Sequence, residues 1–367
     1  MYKKRKKRRI LLISNMYPSK IYPHYGVFIQ NSEYILKNGG FEIDKITMAK
    51  QDSSIVKAMS YLRFYLLAGF KIVFGRYDCV YAHYASHMKP VAVLAKKLRP
   101  KLPLVINVHG NDIVPTSERD YRNPSRSRRT LDLSDCVIAP SGYFKQVLRE
   151  NYSVPEEKVF IFPSGGINTE IFYPKDKEKV REKLGFTGEQ VLIGYASRIE
   201  PGKGWDIFLE GVRSLHGKFP HVQYILIGEG SQLSMCREVI RQNNMENYGY
   251  LYPLVSQDKL ADYYNVFDVF CFPSLQESLG LVGLEAMACG VPCVVSHIPG
   301  ILAYAEDNWN CITFEAGDST GLEAAISKVL GMNAEEKAIL KKNQMDTAAK
   351  YAAEKVSGEF LNIFLEM

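Results

Sequence analysis

Two acidic residues, Glu277 and Glu285, have the type and spacing that most clearly indicate chemistry in this sequence. They belong to FPSLQESLGLVGLEAMACGVPCVVS, residues 272–296, which predicts a strand end, a loop, a helix and another strand. Glu277 falls in the loop and Glu285 inside the helix, so the two carboxylates do not share one helical face. Because carboxylates accept hydrogen bonds from hydroxyl groups, we expect them to contact different parts of one ligand, such as a sugar.

The residues between the two acids form the predicted amino end of that helix. The first N–H groups of a helix have no partner within it, and they are a natural site for phosphate. A glycine in this turn lets a ligand approach the backbone closely. We therefore expect substrate contacts from Ser278, Leu279, Gly280, Leu281 and Val282.

Two cations follow the first predicted strand of the second half, in GYASRIEPGKGWDIFLEG at residues 194–211. Arg198 and Lys203 lie five residues apart in a loop rich in glycine and proline, where both side chains can converge on one diphosphate. Two loop cations taken alone are more often solvated. Their expected role therefore depends on the acidic motif.

Histidines end two predicted strands of the first half. His109 follows the buried strand of LPLVINVHGND, and His83 ends the strand of DCVYAHYAS. Because α/β sheets bind ligands at the carboxyl ends of their strands, both rings are candidate site residues. A single histidine is more often structural, and for His83 packing and substrate contact are equally good interpretations.

The elements that must position these motifs can be predicted from the sequence pattern. Short β-branched runs alternate with longer amphipathic stretches along the chain. That alternation predicts βαβ units on parallel sheets. The polar stretch 173–190 divides the chain, so we expect α/β domains over residues 1–172 and 173–350, facing each other across a cleft. The last residues, about 351–367, predict a helix that packs back on the first domain.

Several common motifs are missing from the sequence. No GxGxxG follows the first strand, and Gly202-Lys203 is followed by Gly204 where a P-loop needs serine or threonine. No DxD tripeptide occurs and the seven cysteines form no CxxC pair, so we expect neither a bound metal nor a disulfide. An odd number of cysteines in a long chain is typical of reduced, cytosolic thiols.

Charge is distributed unevenly along the 367 residues, whose formal net charge is +6. Residues 1–9 hold seven lysines and arginines, which leaves the other 358 residues at −1. The part up to Phe172 carries +14 and the remainder −8. This imbalance predicts an anionic membrane surface as a partner of the first half, whereas the near-neutral body argues against nucleic-acid binding. No apolar run is long enough for a membrane span.

The segment 61–77 is rich in aromatic and aliphatic residues. It is expected to add membrane attachment, with a packed internal helix as the alternative for some of its side chains. The attaching side chains would be Phe64, Tyr65, Leu66, Phe70 or Phe74. We also expect the first core strand to begin at Ile10, so the basic residues 1–9 should contribute nothing to the cleft.

The segment ESLGLVGLEAMACGVPCVVS resembles the E-x7-E signature of the retaining glycosyltransferases of family 4, which have the two-domain GT-B fold. The resemblance implies that Glu277 contacts donor-sugar hydroxyls and that Glu285 binds the ribose. It implies that the amides from Leu279 to Val282 hold sugar and phosphate. Ser278-Leu279 stands where the family commonly has Gly-Phe.

The resemblance extends to the remaining candidates. It assigns Arg198 and Lys203 to the donor pyrophosphate and the leaving group, and His109 to the active-site histidine near C6 of the donor sugar. Gly26, in YPHYGVFIQ, matches a glycine loop whose amides approach phosphate or acceptor. In this fold, cations and helix amides stabilise the leaving diphosphate without a metal.

The resemblance therefore implies a metal-independent retaining hexosyltransferase that uses a nucleotide-diphosphate sugar, with UDP favoured, and needs no cofactor. The expected acceptor is a hydroxyl of a lipid-linked glycan in bacterial capsule or exopolysaccharide assembly, on the cytoplasmic face of the cell membrane. Two alternatives remain open. One is a sugar-nucleotide epimerase of GT-B shape, and the less favoured one is a basic nucleic-acid-binding protein.

Overall fold

The computed structural model describes residues 7–23, 25–114, 124–186 and 189–367, arranged as two α/β units. The first unit contains the chain up to Gly166 together with Glu354–Met367, and the second contains Ile167–Ala353. Residues 1–6 of the basic start lie outside the described residues.

The four inner strands of the first unit's sheet are mostly apolar and buried, as burial under helices on both faces requires, whereas the edge strand Glu42–Thr47 is mostly polar. The strands of this sheet are β1 (Arg9–Ser14), β2 (Glu42–Thr47), β3 (Cys79–His83), β4 (Leu104–Asn107), β5 (Cys136–Ala139) and β6 (Val159–Ile161). They are parallel and lie in the order β2-β1-β3-β4-β5-β6. The order reverses between β1 and β3, which is the position where ligands bind in open α/β sheets.

The strand β1 begins one residue earlier than the sequence analysis expected. The Nε atom of Arg9 pairs with Oε1 of Glu42 at 3.1 Å, and Arg8 donates to the carbonyl of Phe364 at 2.6 Å. Arg8 and Arg9 therefore belong to the fold. The predicted start of the first core strand at Ile10 is wrong by one residue, because Arg9 already pairs with Glu42 of β2.

Helices cover both faces of this sheet. They are α1 (Val27–Asn38), α2 (Ser54–Phe74), α3 (Lys89–Leu98), α4 (Pro124–Asp132), α5 (Gly142–Tyr152) and the C-terminal helix Ala353–Leu365, with short 3-10 helices at Ala85–His87 and Glu156–Lys158. The C-terminal helix packs through aromatic rings: Phe360 stacks on Phe162 with ring centroids 3.9 Å apart, and Phe364 meets Tyr81 at 5.1 Å.

The helix α2 has one buried edge and one exposed face. Phe64, Ala68 and Ile72 are buried in the core of the first unit, whereas Leu66 and Phe70 are exposed. Phe64 therefore cannot attach to a membrane as the sequence analysis allowed, because it fills the core under the helix. Within the described residues, no helix combines the length and hydropathy that crossing a bilayer requires.

The sheet of the second unit repeats the six-stranded parallel design. Its strands are β7 (Val191–Ala196), β8 (Val222–Ile227), β9 (Gly249–Tyr252), β10 (Val269–Phe272), β11 (Cys293–Ser296) and β12 (Ile312–Phe314). Their order is β12-β11-β10-β7-β8-β9, which is the doubly wound arrangement with its reversal between β7 and β10. Both units thus confirm the predicted Rossmann-like α/β class.

The helices of the second unit are α6 (Lys177–Leu184), α7 (Trp205–Lys218), α8 (Leu233–Gln242), α9 (Gln257–Val266), α10 (Leu281–Cys289), α11 (Pro299–Leu302), α12 (Ser319–Gly331) and α13 (Ala334–Ala349), with a 3-10 turn at Met245–Tyr248. The helix α6 lies within the polar stretch 173–190. It forms there because Asp176 caps its amino end and Arg181, buried, donates to Asp268 at 2.9 Å.

Candidate functional site

An ion pair joins the two loops at the reversal point of the second sheet. Lys203 lies in the loop after β7, Glu277 in the loop after β10, and Nζ of Lys203 is 2.5 Å from Oε1 of Glu277. The same carboxylate oxygen accepts a hydrogen bond from Oγ of Ser274 at 3.1 Å. Only 15% of the Lys203 side chain and 13% of the Glu277 side chain are exposed. The structure thus brings together two residues that are 74 positions apart.

A buried tyrosine, Tyr195, holds the loop that carries Lys203 through a hydrogen bond to its backbone. The hydroxyl of Tyr195 donates to the carbonyl of Lys203 at 3.0 Å, and the carbonyl of Arg198 lies 3.4 Å from the same hydroxyl. Gly204 ends the loop at φ 71°, where a Cβ atom would lie 2.0 Å from the carbonyl oxygen of Pro273. Glycine is required there because the turn is left-handed and packs directly against the backbone after β10.

Arg198 is placed on the same loop but differs from Lys203 in its surroundings. Its side chain is exposed, and within the described residues its guanidinium makes no ion pair or hydrogen bond with another side chain. The structure therefore does not bring Arg198 onto Glu277. An exposed guanidinium on this loop keeps all of its donors available for an anion.

The amino end of α10 is open and its shape depends on Gly280. Gly280 is the N-cap at φ 83°, and a Cβ atom there would lie 2.5 Å from the ring of Phe272. Its carbonyl accepts a hydrogen bond from the hydroxyl of Tyr304 at 3.1 Å. The N–H groups of Leu281 and Val282 belong to the first turn, so they have no partner within the helix.

Glu285 lies one turn into α10, with Oε2 3.4 Å from the hydroxyl of Tyr264. Burial raises the pKa of Glu285 to about 7. The carboxyl group is therefore poised between its neutral and charged forms near neutral pH.

Three predicted residues of the first unit follow adjacent strands. Gly26 is the N-cap of α1 at φ 81°, after β1, and His109 follows β4. Between them His83 ends β3, with its Nδ1 atom 3.0 Å from Nε2 of His109. The ring of Phe28 contacts that of His109 with centroids 4.5 Å apart. Burial lowers the pKa of His109 to about 3, so its imidazole is neutral in the physiological range.

Asp112 supports this cluster, a role that was not predicted from the sequence. Its Oδ1 atom accepts the backbone N–H groups of His109 and Gly110, both at 3.0 Å. Its Oδ2 atom accepts the N–H of Ala85, just after β3, also at 3.0 Å. Asp112 thereby ties the ends of β3 and β4 together. An acid directly after a His-Gly-Asn turn was the available sequence signal.

The arrangement of the second unit suits anion binding. In the parts of the chain that the structure describes, no group of three or more His, Cys, Asp or Glu side chains is placed to hold a metal ion. The second unit instead offers the cations of Lys203 and Arg198 and the open end of α10, with the carboxylates of Glu277 and Glu285 beside them. Such a set can bind a phosphate together with hydroxyl groups.

Two family models match this chain, one in each half. Residues 176–347 match the family described as glycosyl transferases group 1, and residues 48–170 match Glycosyltransferase Family 4. The first match contains every candidate residue of the second unit, and the second contains His83 and His109.

The chain also resembles individual proteins of this kind. It is 27% identical over 272 residues to the D-inositol 3-phosphate glycosyltransferase of Thermobispora bispora, and 27% identical over 302 residues to that of Mycobacterium marinum. These matches cover 70% and 78% of this chain, and 63% of each relative. The chain thus spans less than two thirds of the length of these relatives.

Solved structures show the same fold. Sucrose-phosphate synthase from Thermosynechococcus elongatus is 18% identical with a TM-score of 0.77, over 98% of this chain and 99% of that one. Anabaena HepE in complex with UDP is 17% identical with a TM-score of 0.74, over 98% and 100%. The predicted GT-B fold is confirmed. Residues 48–170 are thus similar to Glycosyltransferase Family 4, and residues 176–347 are similar to glycosyl transferases group 1.

Proposed function

We propose that this chain is a retaining glycosyltransferase that transfers a hexose from a nucleotide-diphosphate sugar, with UDP favoured, to an acceptor hydroxyl. The observation that carries the proposal is the Lys203–Glu277 pair, held at the sheet reversal of the second unit beside the open end of α10. It combines one group for phosphate with one for sugar hydroxyls. The choice of UDP is supported by the structural relative HepE, which was solved with UDP.

In the proposed reaction, the bond between the anomeric carbon and the diphosphate oxygen breaks, and the acceptor oxygen bonds to that carbon on the same face. The acceptor proton passes to the departing diphosphate, so no enzyme nucleophile is needed. Negative charge develops on the leaving group, where Lys203, Arg198 and the first amides of α10 stabilise it. Glu277 orients the donor sugar through its hydroxyls.

His109 has a different role in this proposal. Since burial keeps its pKa at about 3, it supplies no positive charge to the leaving group at neutral pH. A neutral imidazole can still hydrogen-bond one sugar or acceptor hydroxyl. His109 therefore supports the reacting centre by position, and Gly26 places the amino end of α1 beside the same strand ends.

The acceptor proposed is a lipid-linked glycan, with the first unit on an anionic membrane surface. The support is a row of exposed apolar side chains, here called the α2 stripe: Ile55, Met59, Leu62, Leu66, Phe70 and Phe74. Each is between 63% and 75% exposed, and their spacing of three and four residues places them on one face of α2. A face of this kind is typical of helices that lie in a membrane interface.

Charge around the α2 stripe favours a bilayer over a second copy of the chain. Residues 54–77 contain no acid, and the side chains of Lys57, Arg63 and Arg76 are exposed. Two copies joined through this face would bring like charges together, whereas an anionic lipid surface would attract them. The relatives named D-inositol 3-phosphate glycosyltransferases make a soluble cyclitol phosphate the alternative acceptor.

The test is a panel of nucleotide sugars offered to the full-length protein, first for thermal stabilisation and then for transfer. A ligand at 100 times its dissociation constant adds about 2.7 kcal/mol to folding stability, so the correct donor should raise the melting temperature clearly. Transfer to a lipid-linked glycan with retained anomeric configuration is the expected result. Epimerisation or hydrolysis of the donor without transfer would support the epimerase instead, and transfer to inositol phosphate alone would overturn the proposed acceptor.

A further inference from the structure

His83 and His109 form a hydrogen-bonded pair of rings at the ends of adjacent strands. The residue His83 is in register with Asn107, two residues before His109, and the two imidazole planes are within 12° of each other. The shared hydrogen bond runs between Nδ1 of His83 and Nε2 of His109, which are 3.0 Å apart. The sequence is compatible with either packing or substrate contact for His83, and the proposed mechanism assigns it no role.

The surroundings of the pair keep both rings neutral. His83 is fully buried, and its ring lies 4.5 Å from that of Tyr81 by centroid. The ring of His109 is covered by Phe28 at 4.5 Å and Tyr84 at 4.8 Å. Burial lowers the pKa of His83 far below its ordinary value, and the neighbouring His109 lowers it further.

A hydrogen bond between two neutral imidazoles needs one N–H and one bare nitrogen. The Nε2 atom of His83 is buried and, within the described residues, has no hydrogen-bond partner. If that nitrogen carried the proton, a buried N–H donor would be left unpaired, which folded proteins rarely tolerate. The proton of His83 therefore belongs on Nδ1, inside the shared bond.

We propose that His83 is a positioning residue for His109: its Nδ1–H donates to Nε2 of His109 and fixes the orientation and tautomer of that ring. The proton of His109 then sits on Nδ1, which is the nitrogen left to meet a ligand. His109 acts on substrate as a hydrogen-bond donor and cannot serve as a proton acceptor through either nitrogen. The catalytic consequence rests on the proposed function, whereas the tautomer does not.

The tautomer is tested by NMR of full-length protein labelled with 15N at its seven histidines, at neutral pH. The expected spectrum shows a nitrogen–nitrogen coupling across the hydrogen bond, with the proton on Nδ1 of His83 and a bare Nε2 on His109. A proton on Nε2 of His109, or no coupling between the two rings, would overturn the assignment. This readout does not depend on any enzymatic activity.

The positioning role is tested with His83→Leu and His83→Asn. Leucine fills the buried space without a donor, whereas the asparagine amide can place an N–H near the former Nδ1 position. We expect His83→Leu to lower kcat about tenfold with little change in the donor KM, because an oriented group is lost, and His83→Asn to restore most of it. Equal activity of the two variants would show that the hydrogen bond does not position His109.

Tyr81→Phe is the matched control. It removes a buried hydrogen bond of 2.7 Å, from Nδ2 of Asn107 to the Tyr81 hydroxyl, and keeps the aromatic ring that contacts His83. It should lower stability but leave kcat and the His83–His109 coupling unchanged. If the wild-type chain transfers no sugar while the coupling is present, the proposed function fails and the tautomer stands. If transfer is normal and the coupling is absent, the tautomer assignment fails and the proposed function stands.

Discussion

The Nζ atom of Lys203 lies 2.5 Å from Oε1 of Glu277, so the cation and the carboxylate neutralise each other in the ligand-free protein. Both side chains are largely shielded from water, so either charge would be unfavourable without its partner. A donor diphosphate would offer Lys203 a second anion, and the sugar hydroxyls would offer donors to Glu277. In the proposed function, the pair would hold the diphosphate and the sugar of a nucleotide sugar.

The first prediction is that Lys203→Ala weakens UDP binding by about 10–100-fold, which corresponds to losing one charge-assisted hydrogen bond of about 1.5–3 kcal/mol. Uridine, which lacks the diphosphate, should lose much less affinity. Isothermal titration with UDP and uridine measures both. The matched control is Lys218→Ala, because Lys218 also forms a 2.5 Å ion pair, with Glu323, away from the loops after β7 and β10. An equal loss for UDP in both variants would contradict a diphosphate contact.

The second prediction concerns Glu285 and pH. Its pKa is about 7 because burial disfavours the charged form, so below pH 7 the carboxyl is mostly protonated. If the ribose hydroxyls need the carboxylate as acceptor, uridine affinity should rise with pH through this range, by up to about tenfold per unit on the acid side. Uridine is the right probe because it has no phosphate that titrates nearby. Calorimetry between pH 5.5 and 8.5 gives the profile.

Glu285→Gln is the control for that profile, because glutamine has nearly the same shape and does not ionise. Its uridine affinity should be weaker and independent of pH. An unchanged pH dependence in the glutamine variant would mean that another group titrates. Wild-type affinity in the variant would remove Glu285 from the ribose site.

The sequence predicted the elements that carry a periodic apolar pattern and missed those stabilised by contacts distant in sequence. β1, β3, β7 and β10 were all expected, because their runs are apolar and buried. The edge strand β9 was missed, since GYLY is short and half-exposed and, among the described strands, pairs only with β8. The helix α6 was not predicted within the polar stretch, because the hydrogen bond that holds it joins Arg181 to Asp268, which is 87 residues away in sequence.

In the candidate site too, local positions could be predicted from the sequence and contacts between distant residues could not. The sequence could place Glu277 and Lys203 each at the end of a strand, because motif spacing fixes that. It could not show that they touch, since this depends on β7 and β10 being neighbours. Tyr195 and Tyr304, whose hydroxyls hydrogen-bond the backbone of the site, were missed because a buried tyrosine in this role has no local sequence signal.

The third prediction compares two glycines, one in a left-handed conformation against a neighbouring ring and one in a helix with open space around it. Gly280→Ala places a side chain at φ 83° and 2.5 Å from Phe272, so it should lower the free energy of unfolding by at least about 1–2 kcal/mol. Gly217→Ala, inside α7 with open space around it, should raise that free energy by about 0.5–1 kcal/mol. Urea denaturation measures both. The same sign for the two substitutions would contradict the left-handed N-cap of α10.

The fourth prediction is that transfer activity persists in excess EDTA. Lys203, Arg198 and the first amides of α10 supply the positive potential that a metal ion supplies in other sites. Turnover of a nucleotide sugar should be the same with and without the chelator. A loss of activity that magnesium or manganese restores would show that a metal takes part.

The last prediction concerns the α2 stripe, whose exposure the sequence could not reveal. Leu66→Glu should reduce sedimentation with vesicles rich in anionic lipid, because a buried leucine contributes about 1.5–3 kcal/mol and a charge reverses that gain. The matched control is Ile339→Glu on α13, which changes an equally apolar side chain that is 55% exposed in the second unit. Binding through Leu66 should resist salt, because it does not depend on charge.

The basic start should contribute differently. Residues 2–6 hold four cations and can be deleted without touching Arg8 and Arg9, which join the sheet. Each cation near an anionic surface contributes about 1 kcal/mol, a contribution that salt screens. The deletion should therefore weaken vesicle binding at low salt and leave it unchanged at high salt, with turnover of a water-soluble acceptor unaffected. If Leu66→Glu, Ile339→Glu and the deletion all sediment like wild type, or if the wild type does not bind at all, the first unit does not dock on a bilayer through α2.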